Sequence, residues 1–252
     1  MSFTRNFQRW SLIICLCMMT IFTLTACDEE DVSANQSNNQ DLANTPSNVT
    51  QVNTIKNMNL PTLEGKATVV MKINGGQVTI EVDGDNAPIT AGNFVDLVKK
   101  GIYNGSVFHR VVRDPQPFVA QGGDPNSTKP NFPAARLGTG SYVDPETGNP
   151  RYVPLEIRPE SNGGDPADIV YSKTISQPPE LKHEYGVIAM ARSQMPDSAS
   201  AQFYFTLAEL SFLDGQYAVF GKVTEGMDVV EGIQQGDKIE SAEIISGADN
   251  LK

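Results

Sequence analysis

The chain has 252 residues, enough for one or two domains. Its composition, 39% hydrophobic and 19% charged with 21 glycines and 16 prolines, is that of a packed globule and excludes collagen-like, coiled-coil and wholly disordered chains. A formal charge of -11 repels phosphate backbones and anionic headgroups, which excludes general nucleic-acid binding by counterion release and docking through a basic patch. The two histidines, His109 and His183, lie far apart with no acidic residue at ligand spacing, so no metal site is expected.

Arg5 and Arg9 precede an uncharged run, Trp10 to Ala26, that closes in Leu24-Thr25-Ala26-Cys27. Basic start, apolar centre and small residues before a cut make a signal peptide. The competing reading is a retained anchor, since about 17 residues reach the lower limit of a membrane span. The cysteine decides: Leu-Thr-Ala-Cys resembles the lipobox of bacterial lipoproteins, which implies removal of residues 1–26 and lipid on Cys27. Asp28 beside it resembles an inner-membrane retention signal, so the expected location is the cell envelope, facing the periplasm. Cleavage removes Arg5, Arg9, Cys15 and Cys17; 19 basic residues fall to 17 against 30 acidic, and -11 becomes -13. With Cys27 acylated, no thiol is left to form a disulfide. Residues 27–60 are rich in Asn, Gln, Ser and Thr with no aromatic residue, too polar to offset their ordering entropy. They read as a disordered tether reaching ~30 Å.

Residues 61–249 form the expected globule. Ala67 to Ile73 and Gln77 to Val82, joined by Asn74-Gly75-Gly76, predict a β-hairpin. Pro88 at a first turn, Ala91, Phe94, Leu97 and Val98 at helical spacing, and Gly101 as a stop predict a helix from Pro88 to Lys100. Further strands read at 106–112, 118–121, 152–157, 185–192, 202–207, 218–223 and 238–245, with a short helix near 227–233. About eight principal strands and two helices make a mainly β chain, and a closed eight-stranded antiparallel barrel removes exposed edges.

The stretch 125–181 is rich in Pro, Gly, Asn and Asp and reads mostly as an inert insertion. A functional variant places Tyr142, Tyr152 and Tyr171 on the rim of a groove. No serine lies in G-x-S-x-G, and no glycine-rich loop opens a helix in a βαβ setting, so a hydrolase and a nucleotide cofactor are disfavoured.

The informative runs are Val107-Phe108-His109-Arg110-Val111-Val112 and Phe118-Val119-Ala120-Gln121-Gly122-Gly123-Asp124. Strand alternation puts Phe108, Arg110 and Val112 on one face. An arginine there is either a snorkelling surface residue or a guanidinium at the floor of an apolar groove. Gln202-Phe203-Tyr204-Phe205 favours the groove, since Phe203 and Phe205 enter the core while Gln202 and Tyr204 face the other way.

These runs, with Gly186-Val187-Ile188-Ala189-Met190-Ala191-Arg192, Gln202-Phe203, Phe212-Leu213-Asp214-Gly215 and Val219-Phe220-Gly221-Lys222-Val223, resemble the cyclophilin-type peptidyl-prolyl cis-trans isomerases from about Lys66 to Ile245. The resemblance implies an eight-stranded barrel capped by two helices, an active groove on its outer face, no cofactor, and proline-containing segments of unfolded or exported proteins as partners of a monomer. It implies Arg110 as the catalytic cation with Gln121 orienting it. Phe118, Val119, Tyr204 and Leu213 would form the proline pocket, and Ala191, Arg192 and Gln202 would hold the peptide backbone, with His109 as packing. Phe118 and Gln121 are an odd number apart, so a bend near Phe118 is required. Departures are Tyr204 for the family's Phe, which adds a hydroxyl needing a partner, Val119 for a longer Met, Phe212 for the Trp of cyclosporin-sensitive members, and Tyr217 for a His. The last two imply weak cyclosporin binding. The rival reading is a proline-recognising chaperone or docking module with little turnover.

Overall fold

The computed structural model describes residues 59–252, residue 162 excepted. The signal peptide, Cys27 and nearly all of the tether lie outside the described residues. Among the described residues no helix is long and apolar enough to cross a membrane.

The predicted hairpin forms: β1 (Lys66–Ile73) and β2 (Gly76–Asp83) pair in antiparallel register from Lys66↔Asp83 to Ile73↔Gly76. Their alternate residues Val69, Met71, Val78 and Ile80 are fully buried, which fixes the register, because a slip by one residue would turn this row outward. Helix α1 follows at Pro88–Lys99. It ends in a Schellman turn, with Gly101 at φ +68°, its N–H on the Val98 carbonyl and the Ile102 N–H on that of Leu97. Its N-cap, Ala87, offers no side-chain acceptor. The carboxylate of Glu156, far along the chain, replaces it by accepting from Ile89 N (3.1 Å) and Thr90 N (2.7 Å). Gly92 is required where the chain crosses this helix, since a Cβ there would lie 2.5 Å from Thr62 Cα.

The remaining barrel strands are β3 (Arg110–Val111), β4 (Val119–Gly122), β7 (Val187–Met190), β8 (Phe203–Thr206), β9 (Val219–Glu225) and β10 (Ile239–Ser246), with helix α2 (Met227–Gly232) before β10. The sheet order is β10-β1-β2-β9-β7-β8-β4-β3, all antiparallel. Residues just before β3 close it against the start of β10, through a bridge between Val107 and Lys238 and the bonds Phe108 N to Asp237 O and Ile239 N to Ser106 O. The inside is filled by Phe94, Tyr103, Phe108, Phe203, Phe205 and Phe220, all fully buried, with Phe203 edge-on to Tyr103 (5.2 Å, 87°) and Phe94 (5.7 Å, 83°). Tyr103 donates its hydroxyl to the Ala201 carbonyl, and burial pushes that phenol well above its ordinary range.

Two expectations need correction. The predicted strand at 152–157 is not a barrel stave: β5 (Glu156–Ile157) pairs only with β6 (Val170–Tyr171) in a separate two-stranded ribbon. Nor does regular alternation run through 106–112. Phe108 is in the core while Arg110 is exposed, because the strand becomes regular only at Arg110. The insertion is not loosely attached. Besides Glu156 under α1, Arg151 binds Asp96 of that helix (2.7 Å) and lies over the Tyr142 ring (4.6 Å).

Candidate active site

The outward row of the sheet assembles the site. Register places Arg110 opposite Gln121, Gln121 opposite Tyr204, and Tyr204 opposite Ala189. Three strand spacings of about 4.8 Å put this row across roughly 14 Å of the barrel's outer surface. Inward neighbours Ala120, Phe203, Phe205 and Ile188 belong to the core, whereas Val119, Val187, Ala189 and Tyr204 build a second, smaller apolar cluster outside it. Phe118, Leu213 and Tyr217 pack against that outer cluster.

Phe118 and Val119 therefore share a side although adjacent in sequence, which is the bend the spacing demanded. β4 starts at Val119, and Phe118 is held before it by its own N–H on Val112 O and by its carbonyl accepting from Leu207 N. The Arg110 guanidinium lies over the Phe118 ring, 5.5 Å from its centre, and Phe212, 69% exposed, stacks on Phe118 (6.0 Å, 13°). Arg110 is thus exposed at the edge of an apolar slot, not sunk in a floor. Among the described residues no hydrogen bond consumes its donors. Gln121 faces it across the strands, but its amide donates to Gln202 Oε1 (3.2 Å), and Gln202 donates to Gly140 O (2.8 Å). Among the described residues, the hydrogen bond of the Gln121 amide therefore ties it to Gln202 and the cleft wall.

Beyond Gln121 opens a cleft of about 570 Å³ whose lining includes Gly140, Tyr152, Ala191, Met195 and Gln202. Of the three tyrosines placed on the rim, only Tyr152 is there; Tyr142 is buried under Arg151, and Tyr171 packs beside Glu156. Ala191 N binds Gln202 O. Arg192 braces the wall, with its guanidinium on Gln216 O (2.9 and 2.6 Å) and Ser193 O and over Tyr217 (4.7 Å), so its side chain is already engaged.

Two positions had no role in the sequence reading. Asp124, fully buried, accepts from the N–H groups of Asn126, Gly138 and Gly140 and so fixes the loop that Gln202 binds. A Cβ on Gly140 would run into the Asp124 carboxylate. An Asp ahead of Pro125 is the legible signal, a side-chain cap on a short 3₁₀ turn. The second is His183, which meets the Tyr204 hydroxyl (3.0 Å) and Asp214 (2.9 Å). This supplies the partner the extra hydroxyl needed.

Both histidines are held below the ordinary imidazole range by burial, which outweighs Asp124 near His109 and Asp214 at His183. Neither ring nitrogen of His109 has a hydrogen-bond partner among the described residues, consistent with packing against Gly138. A depressed histidine binds its proton more readily unfolded than folded. The contribution of these two rings to stability is therefore fully present above about pH 6.5 and falls away as pH drops below it. Urea unfolding at pH 7.5 and 5.5 should show a smaller drop in the His109→Gln/His183→Gln double variant than in the parent; an equal drop would exonerate both rings.

A closed antiparallel barrel with two helices and an Arg–Gln–aromatic row on its outer face defines a cyclophilin-like protein. Residues 68–248 match the family model described as cyclophilin type peptidyl-prolyl cis-trans isomerase/CLD, and the chain belongs to that family. It is 42% identical over 208 residues to a Synechocystis protein whose name gives it as a thylakoid lumen peptidyl-prolyl cis-trans isomerase, covering 77% of this chain and 50% of that one. A chloroplastic peptidyl-prolyl cis-trans isomerase of Arabidopsis thaliana is 36% identical over 216 residues (77% of this chain, 45% of that one). The chain thus spans about half the length of these two relatives. A Helicobacter pylori peptidyl-prolyl cis-trans isomerase is 35% identical over 178 residues (69% and 85%). Among solved structures, a Cryptosporidium parvum isomerase of cyclophilin type, crystallised in the presence of the dipeptide ala-pro, shares the fold with a TM-score of 0.53 at 24% identity, covering 71% of this chain and 99% of that one.

Proposed function

We propose that the chain is an active peptidyl-prolyl cis-trans isomerase, acting on proline-containing segments of unfolded or exported proteins. The observation that carries this is the Arg110 guanidinium, laid over Phe118 at the edge of the outer apolar cluster with its donors unspent among the described residues. Rotation about an X–Pro bond meets a barrier of about 18–20 kcal/mol because twisting breaks amide conjugation. In the twisted state the nitrogen lone pair is released. A guanidinium donating to that nitrogen binds this state better than either planar isomer, which is differential binding of the transition state. Phe118, Val119, Tyr204 and Leu213 hold the proline ring, and Ala191 and Gln202 meet the peptide backbone. No proton is transferred, so His109 needs no acid or base role.

The address signals support a lipid on Cys27 and an envelope location, with Asp28 pointing to the inner membrane; the thylakoid-lumen name of one relative is in keeping with work outside the cytoplasm. We take the working form to be a monomer. Phe212 and Tyr217 at the slot support weak cyclosporin sensitivity.

The test is refolding of a client limited by proline isomerisation, a phase of tens to hundreds of seconds uncatalysed. An isomerase accelerates that phase alone and loses the effect with Arg110→Ala. A holding chaperone instead suppresses aggregation of proline-free clients and ignores the substitution.

A further inference from the structure

We infer that His183 is a positioning residue of the proline slot, fixing its floor through Tyr204 and its wall through the segment 210–214; this rests on the isomerase reading above. The geometry is a hub. Asp214 Oδ1 accepts from His183 N (2.7 Å) and lies 2.9 Å from Nδ1. An ionised carboxylate only accepts, so Nδ1 carries the proton. Nε2 of the neutral ring is then bare and accepts from the Tyr204 hydroxyl at 3.0 Å. The His183 carbonyl accepts from Leu210 N (2.8 Å). One residue thus pins both ends of the turn that carries Phe212 and Leu213, and also the ring on which the proline would rest.

The consequence is chemical. Tyr204 is 5% exposed and His183 1%. With its hydroxyl drawn to a buried acceptor, the tyrosine shows the slot its ring and keeps its polar end behind. Without His183 the hydroxyl has no partner and must seek water at the slot, while the Leu213 wall loses its anchor.

The test is a double-substitution cycle on the full globule with a Xaa-Pro tetrapeptide, measuring KM and kcat separately. His183→Phe keeps a planar ring without hydrogen bonds and should raise KM about fivefold, more than it lowers kcat. His183→Gln, which can still accept from Tyr204, should recover part of the loss. In the Tyr204→Phe background the His183→Phe effect should shrink. If His183→Phe does not fold, ring ¹⁵N spectra of the parent decide: a proton on Nδ1 supports the hub, and one on Nε2 overturns it. Turnover that depends on Arg110 yet shows an unmoved KM in His183→Phe overturns this inference alone. Absence of turnover in the parent overturns the isomerase reading and the inference with it.

Discussion

Replacing Arg110 with alanine should lower kcat/KM for a Xaa-Pro tetrapeptide by about 10²–10³-fold, the range seen when one donor to a developing charge is removed. The residue is exposed and lies over Phe118, so folding should be nearly unaffected and the thermal midpoint should stay within a degree or two of the parent. That contrast matters: a large kinetic loss at unchanged stability isolates the guanidinium as the agent. Arg110→Lys should rescue little. An ammonium neither stacks on the Phe118 ring as a plane nor presents a fixed fork of donors. A protease-coupled assay reads both variants, and turnover of Arg110→Ala equal to the parent would remove the basis of the mechanism.

The largest effect on stability is expected at Glu156. Its carboxylate is 1% exposed and caps the first turn of α1, whose own N-cap residue has nothing to offer. Burial holds this carboxyl above the usual carboxylate range, although the two N–H donors pull the other way. Alanine would leave two buried N–H groups without acceptors and a void beside Tyr171. We expect a loss of about 3 kcal/mol, or a fall of ~6–12 °C in Tm. Glu156→Gln should cost less than alanine, since its carbonyl oxygen can still accept from one N–H, although its NH2 group, a donor, leaves the second N–H unpaired. Urea titration would show a lower midpoint at unchanged slope. A midpoint equal to the parent's would mean that the helix finds another cap.

Legibility in the sequence followed the range of the interactions. The first hairpin, α1 and the β8 alternation were readable because periodicity and turn chemistry act over a few residues. The barrel and the Arg110, Phe118, Gln121, Gln202 and Tyr204 group came from spaced blocks in order, and the structure brings these five to one outer face. What escaped was set at long range. Glu156 reaches α1 from 67 residues away, and no local pattern marks a carboxylate as another element's cap. His183 meets Tyr204 across 21 residues; as a lone histidine it carried no motif. The break between Phe108 and Arg110 was hidden because pleating was assumed through a segment whose backbone bonds go partly to the start of β10. Arg192 looked available in sequence and is tied to Gln216 by the fold.

The outer row draws Arg110 and Gln121 from the pair β3 and β4 and Ala189 and Tyr204 from the pair β7 and β8, far along the chain, so neither pair alone owns the machinery. On the isomerase function proposed above, a nascent copy, with 16 prolines in its sequence, has no slot of its own to use, and a native copy can hasten its proline isomerisations. Self-assistance is then bimolecular: the slow refolding phase of a dilute labelled sample should quicken in proportion to added native protein, and stay flat when that protein is Arg110→Ala.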